Sequence, residues 1–501
     1  MDLFAYLRHY WLDDAIDALQ HALAEEPDVS IRLNPMRHVE GVCADGQTLC
    51  QLSDDELAAS VEGYDGRVPW CRDGIYLSQR PAFTADPLLH AGTYYVQEAS
   101  SMFIAHALRQ AVPALRQAVP GHSVPTLCPP CRLAIDLCAA PGGKSTLLRA
   151  ILPQYTVLVC NEAVRARAQV LAENIAKWRA SNTIVTNAYP QDLIPRLTSP
   201  IATSARRDKR DKSAKRSRGF APILADVIVC DVPCSGEGMF RKEEEAVRQW
   251  SPQLVADCAA LQRQIVATAW QALRPGGVLL YSTCTFNPQE CELNIVALCR
   301  QLGAHTIEIP VPYEWGVKSL TDLARPEFVE TLTPQERQWA SACYHLIPGN
   351  VRGEGFFCAV LAKPSLDDAD TDTDPAATLV DTALVDMALA DTAPADTAPA
   401  DTALAAAALL ADLQRALPSF DDMPAPTAPD IYDVQLSLDE AMRYLQRESL
   451  VMPPGTPLGI VQVCHRGQPL GLMKNVGSRA NNLYPKEWRI RSSHLTPHSI
   501  L

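Results

Sequence analysis

Through the middle of the chain, short apolar runs alternate with longer amphipathic ones. LAIDLC (Leu133 to Cys138), TVLVCNE (Thr156 to Glu162), ADVIVCDVPC (Ala225 to Cys234) and VLLYSTC (Val278 to Cys284) are almost wholly apolar until they end in polar or acidic residues. Between them stand patterns of helical period such as RARAQVLAENIAKWRA and LVADCAALQRQIVATAWQAL. A parallel strand covered on both faces is apolar at nearly every position, whereas a helix laid on a sheet needs only an apolar stripe. The alternation therefore predicts an α/β fold with a mostly parallel sheet. Ligands of such sheets bind beyond the carboxyl ends of the strands, so those ends are where chemistry is to be sought.

Three stretches break the pattern. Ser365 to Ala411 repeats a five-residue unit with Asp381, Asp386, Asp391, Asp396 and Asp401 in register among Ala, Thr and Pro. It reads as a mostly disordered spacer whose AAAALL end could extend into a short helix. Leu108 to Gly121 duplicates a seven-residue unit, and the Pro in each copy ends any helix before it. Ser204 to Gly219 carries eight Lys or Arg against two Asp, which suits an RNA-contacting arm or a plain solvated loop.

The chain has 501 residues, enough for several domains, and a net charge of −14. Eleven Asp fall between Ser365 and Asp412, so the remainder carries only −3, and bulk acidity does not exclude a nucleic-acid partner. The start, MDLFAYLRHYWLDD, lacks the basic-then-apolar order of a secretory signal, and no uncharged apolar stretch of about 18 residues occurs. A cytoplasmic protein with no membrane partner is expected, its sixteen cysteines reduced. Cys128-Pro-Pro-Cys131 has zinc-knuckle spacing but no second ligand pair nearby, so no metal is expected.

Four strand ends carry candidate chemistry. DLCAAPGGKS (Asp136 to Ser145) has the small residues that let a backbone approach a ligand at the start of a helix, without the spacing of a phosphate-binding P-loop. The next strand ends at Glu162, where a carboxylate can accept hydrogen bonds from two ribose hydroxyls. DVPCSGEGMFRK (Asp231 to Lys242) and YSTCTFNPQE (Tyr281 to Glu290) each bring a cysteine, Cys234 and Cys284, to the same face. A thiolate can add to carbon-6 of cytosine and so make carbon-5 reactive toward a sulfonium methyl donor, while a carboxyl such as Asp231 assists at ring nitrogen 3. A second thiol can help release the product. Cys138, Cys160 and Cys230 lie within apolar strand patterns and are expected to be buried thiols.

Together these three motifs closely resemble the NOL/NOP/Sun family of RNA cytosine-5 methyltransferases. SIRLNPMR, VPWCRDGIYLS and HAGTYYVQEASSM are similar to the family's N-terminal region, and LGIVQVCHRGQPLGLMKNVGSRANNLYPKEWRI to a C-terminal PUA-like domain of its RsmF-type ribosomal RNA enzymes. The resemblance implies a small α+β RNA-binding region over residues 1–95 and a Rossmann-like S-adenosylmethionine-dependent methyltransferase domain over 96–363, with insertions near 109–132 and 200–220. A disordered linker over 364–428 and a PUA-like RNA-binding domain over 429–501 would follow. It implies Cys284 as nucleophile, Cys234 as the cysteine assisting release, and Lys144 and Asp231 as polar groups of the active site. Cys138, Ala139, Ala140, Pro141, Gly142, Gly143 and Lys144, with Glu162 and Asp231, would contact S-adenosylmethionine. Where many relatives carry an Asp near the adenine, this chain has Asn187. Ribosomal RNA of the small subunit is the implied substrate of a monomer, with transfer RNA, or a catalytically inactive assembly factor, as alternatives.

Overall fold

The computed structural model describes residues 2–36, 54–116, 131–198, 222–365, 400–417, 431–492 and 495–501. The first sheet is antiparallel, with β1 (Val29–Leu33), β2 (Tyr64–Arg67), β3 (Gly74–Leu77) and β4 (Tyr94–Val96) in the order β2-β3-β1-β4. Ile31, Ile75, Leu77 and Tyr94 form its buried face. β4 crosses the boundary expected at 95/96. The helices Leu3–Leu7 and Asp13–Ala22 do not belong to this sheet's core, because Leu7, Trp11 and Ile16 pack against Trp250, Val255, Phe286 and Leu323 of the central body.

The central sheet has eight strands: β5 (Leu133–Asp136), β6 (Val157–Asn161), β7 (Thr183–Thr186), β8 (Ala225–Asp231), β9 (Leu273–Thr283), β10 (His305–Thr306), β11 (Cys343–Leu346) and β12 (Phe356–Ala362). Their order is β10-β12-β9-β8-β5-β6-β7, with β11 also paired to β12. β5 through β9 run parallel and β12 is antiparallel to β9. Side chains alternate between two cores, as a strand period of two requires. Ala134, Leu158, Val227, Val229 and Leu280 meet the helices Gly143–Ile151 and Arg165–Trp178 on one face, while Ile135, Val159, Ile228 and Leu279 meet Pro190–Thr198, Pro252–Trp270 and Glu292–Leu302 on the other. The chain winds outward from β5 to β7 and then returns to β8 on the opposite side of β5. The crevice beyond β5 and β8 is therefore the topological switch point.

Residues 364–428 read as a mostly disordered spacer whose AAAALL end could extend into a short helix; Ala400–Ala416 is a helix of 17 residues, and Leu413 and the following Leu417 are buried in the second core with Leu409 and Leu410 partly buried beside them. Alanine favours the helix, and Leu409, Leu413 and Leu417 recur every four residues, with Leu410 beside them, as one stripe. Residues 366–399 and 418–430, the basic insertion at 199–221, and 117–130 with Cys128 lie outside the described residues. Ahead of the last of these, the helix Phe103–Ala111 stops before Pro113, as the lost amide hydrogen requires.

The C-terminal sheet comprises β13 (Asp433–Gln435), β14 (Gly459–His465), β15 (Gln468–Asn475) and β16 (Ala480–Asn482), in that order. The helix Leu438–Leu445 beside it begins in a capping box of Ser437 and Glu440. The last residues return to the first sheet: Ile500 is buried among Ile31, Leu77 and Leu88, and its amide donates to Asp86 at 3.2 Å. Among the described residues no helix is long and apolar enough to cross a membrane.

Candidate active site

The loop after β5 is shaped by its small residues. Ala139 N–H donates to Asn161 O at 2.8 Å, the Ala140–Pro141 peptide is cis, and Gly142 takes a φ of 112°, a left-handed conformation that glycine adopts without strain. Gly143 then opens the helix Gly143–Ile151. The outer side of the loop is held by neighbours: Asn174 Nδ2 donates to Pro141 O at 2.8 Å and Arg167 Nη2 to Ala140 O at 3.0 Å. From the N-terminal sheet, fully buried Arg32 reaches Gly143 O at 3.3 Å and Thr146 Oγ1 at 2.6 Å, its guanidinium 4.5 Å over the Trp178 ring. Nothing in the sequence pattern marked Arg32, which like Ser30 takes a polar place in the alternating strand VSIRL.

Polar atoms without partners face this loop. Asp136, at the end of β5, accepts from Ser145 Oγ at 2.6 Å through one oxygen, while the other is buried without a hydrogen bond. Burial, only partly relieved by Ser145, pushes its carboxyl up to about 7. Glu162 follows β6 and accepts from Val164 N at 2.9 Å; its Oε2 has no hydrogen bond, though Arg167 stands 3.5 Å away. Asn187 spends its amide on Glu162 O and Ala163 O at 2.7 and 2.9 Å. Cys138 lies in the loop itself, its thiol raised by burial and then by Asp136 and Asp231. Buried unpaired polar atoms cost free energy unless a ligand satisfies them, so this crevice suits a ligand rich in hydroxyl and amine donors.

Lys144 and Asp231 join the cofactor loop to the cysteines. Lys144 Nζ lies 2.8 Å from Asp231 Oδ2, both side chains about a quarter exposed at 23% and 26%, and Ser282 Oγ donates to the other Asp231 oxygen at 2.8 Å. Burial pulls the Lys144 ammonium down, but the charge and hydrogen bond of Asp231 outweigh it, with Cys284 adding to the effect, so its pKa is raised.

Beyond β8 and β9 the structure brings Cys234 and Cys284 together, their sulfurs 3.4 Å apart. Cys234 is raised well above an ordinary thiol, first by its hydrogen bond with Cys284, then by burial, and further by the charges of Cys284 and Glu290. Lys144 is the cation facing Cys284. The two sulfurs thus sit in unlike fields. Cys160 and Cys230 are buried as expected, whereas Cys138 is only partly buried because it lies in the loop beyond β5; Cys131 is buried too. Among the described residues no group of three or more His, Cys, Asp or Glu could hold a metal ion.

Two further carboxylates, fully buried behind the sulfurs, were present in the motifs but carried no expectation. Glu237 Oε2 accepts from Thr285 Oγ1, Phe286 N and Asn287 N at 2.7, 2.5 and 3.0 Å, and its Oε1 from Trp250 Nε1 and Asn287 Nδ2 at 2.9 and 2.7 Å. It thereby ties the loop of Cys234 to that of Cys284. Glu290 runs the other way, accepting from Ser235 N and Oγ at 3.1 and 2.5 Å. An acidic residue placed among small residues at a strand end was the available signal.

The comparisons with known proteins agree in three segments. Residues 130–362 match the family model described as 16S rRNA methyltransferase RsmB/F, residues 3–99 that of the N-terminal domain of 16S rRNA methyltransferase RsmF, and residues 432–490 that of the methyltransferase RsmF PUA domain. Two similar proteins, from Pectobacterium carotovorum and Pectobacterium atrosepticum, are each named ribosomal RNA small subunit methyltransferase F. They are 31% and 32% identical over 360 residues, which is 70% of this chain and 59% and 62% of theirs. The matched part of this chain thus spans about three fifths of those relatives. Among solved structures, the crystal structure of PH0851 shares the fold at a TM-score of 0.50 and 18% identity, covering 72% of this chain and 65% of that one.

Proposed function

We propose that this chain, which belongs to the 16S rRNA methyltransferase RsmB/F family, methylates carbon-5 of a cytosine in small-subunit ribosomal RNA from S-adenosylmethionine, acting in the cytoplasm as a monomer. The observation that carries the reading is the pair of sulfurs 3.4 Å apart, with Lys144 facing one and Glu290 the other.

S-adenosylmethionine fits the crevice by the oxygens of Asp136 and Glu162 that accept no hydrogen bond and by the loop Cys138 to Lys144. Glu162 would take the ribose hydroxyls, and Asp231 and the loop the remainder. When bound, this cofactor supplies an electrophilic methyl group. All other parts of the reaction fall to the protein's own residues.

Cys284, which interacts electrostatically with the Lys144 ammonium, adds as a thiolate to carbon-6 of the cytosine. Addition places negative charge at ring nitrogen 3. Lys144 Nζ and Asp231 Oδ2 hold between them a proton that meets this charge. The ring then reacts at carbon-5. Release needs that carbon's hydrogen removed and the carbon–sulfur bond broken. Cys234, within hydrogen-bonding distance of Cys284, gives its proton to the departing sulfur, and the Cys234 thiolate this leaves takes the carbon-5 hydrogen as a proton.

The two outer domains supply the RNA contacts in this reading, and the relatives' names favour ribosomal over transfer RNA. Bisulfite sequencing of total RNA from cells with and without the gene tests it. One small-subunit cytosine should lose its methyl mark in the deletion strain, whereas loss confined to transfer RNA, or no loss at all, would overturn the assignment.

A further inference from the structure

The ring of hydrogen bonds around Cys234 closes through one residue. Gln262, fully buried on the helix Pro252–Trp270, donates its amide to Pro233 O at 2.9 Å and to Glu290 Oε2 at 2.6 Å. The same Glu290 oxygen accepts from Ser235 N at 3.1 Å, so both chain neighbours of Cys234 are tied to one carboxylate. Gln262 cannot turn over, because its Oε1 already accepts from Tyr281 Oη and Asn294 Nδ2 at 2.8 and 2.7 Å. Asn287 Nδ2 gives Glu290 another donor at 2.8 Å. Four donor groups thus aim at a side chain with no solvent exposure, an environment built for an anion.

We propose that Glu290 is the positioning residue that divides the work of the two thiols: it fixes the Cys234 turn against the Cys284 loop and sets a buried negative charge on the Cys234 side, so that the charge of the sulfur pair resides on Cys284. The inference rests on the assignment of Cys284 as nucleophile made above. Glu290 touches neither substrate nor cofactor and acts through Cys234. The groups that interact with the sulfur pair are Lys144 at Cys284 and Glu290 and Tyr281 at Cys234; Asp231 and Asp136 act on Lys144, and Glu237 on Glu290. Burial and then Glu237 push the Glu290 carboxyl up to about 7, so its charge develops within the working range of pH.

Iodoacetamide labelling of the full-length protein, with each cysteine followed by peptide mass spectrometry from pH 6 to 9, tests this. In the wild type Cys284 should label faster than Cys234, and the ratio of the two rates should climb as pH passes about 7. In Glu290→Gln the ratio should fall by about tenfold, the factor that one unit of thiol pKa represents, and lose its climb. Ser235→Ala removes a hydrogen bond that favours the Glu290 carboxylate but keeps the carboxyl group, so the ratio should still reach the wild-type value at pH 9 with its climb moved to higher pH, while methyl transfer slows. A ratio flat with pH in the wild type, which needs no variant to fold, would overturn the proposal, as would an unchanged ratio in folded Glu290→Gln. No preference for Cys284 at any pH would instead sink the assignment of the nucleophile.

Discussion

Cys234 and Cys284 are 50 positions apart in the chain and 3.4 Å apart at sulfur, each at the carboxyl end of one of two adjacent parallel strands. Their unlike surroundings imply opposite kinetic fates. Cys284→Ala should bind RNA and cofactor but give neither methylation nor a denaturant-resistant protein–RNA adduct. Cys234→Ala should still add and methylate but release slowly, accumulating a methylated covalent complex seen as a retarded band on a denaturing gel. The double variant should show no band; an adduct in Cys284→Ala would reverse the roles.

Lys144 and Asp231 act as one unit in this site, so their removal should not be additive. Lys144→Met and Asp231→Asn should each lower the methylation rate by about 10²-fold or more, the range of a proton-transfer group, and the double variant should be little worse than the poorer single one. RNA affinity, read by filter binding, should be preserved. Multiplying losses in the double variant would show two independent roles.

Gly238 N–H donates to Cys284 O at 2.8 Å, and a Cβ built on Gly238 would lie 2.9 Å from that oxygen and 3.1 Å from Glu354 O. Backbone on both sides leaves no flexible side chain to yield. Gly238→Ala should therefore displace the nucleophile loop, costing about 1–3 kcal/mol of stability from overpacking and up to about 10²-fold in rate. Full activity would mean that the loop tolerates the shift.

Much of the central sheet could be read from the chain because β5 to β9 are covered on both faces, which makes their apolar runs continuous and their polar ends conspicuous. Cys234, Cys284, Asp231 and Glu162 stand at such ends, and the fold brings them to one side for that reason. Arg32 and Gln262 could not be read this way. Each is a buried polar side chain that the pattern of its element does not distinguish from a solvated one, and its partners come from distant segments that no periodicity connects. The helices Leu3–Leu7 and Asp13–Ala22 show the same limit: an apolar stripe predicts burial but not which body covers it. In the spacer, register among the aspartates masked the leucine stripe of Ala400–Ala416.

That stripe makes the end of the spacer part of the core. Leu413 is fully buried among residues of the central body's second face, so Leu413→Ala should destabilise the protein by about 2–5 kcal/mol, as core truncations of leucine do. Urea unfolding of the two proteins checks it. Equal midpoints would show that the helix contributes nothing to the stability of the body.

Two buried acids give stability an unusual pH dependence. Asp136 and Glu290 are each pushed up to about 7, chiefly by burial, from ordinary values of 3.8 and 4.5. Between those limits the fold keeps protons that the unfolded chain has released, so the folded state binds more of them and their contribution to stability falls as pH rises. It is fully present below about pH 4 and lost by passage through about 7, with a slope of about 1.4 kcal/mol per pH unit per acid in between. The relevant observable is the difference between proteins, since every other carboxylate also titrates on acidification. The melting temperature of Asp136→Asn minus that of the cofactor-free wild type should rise steadily from pH 4.5 to 7 and then level off. Ser145 can still donate to the asparagine carbonyl, so the hydrogen bond of that side chain survives the change. A difference that stays constant across this range would show that Asp136 is charged in the fold throughout, and that the crevice solvates it better than its burial implies.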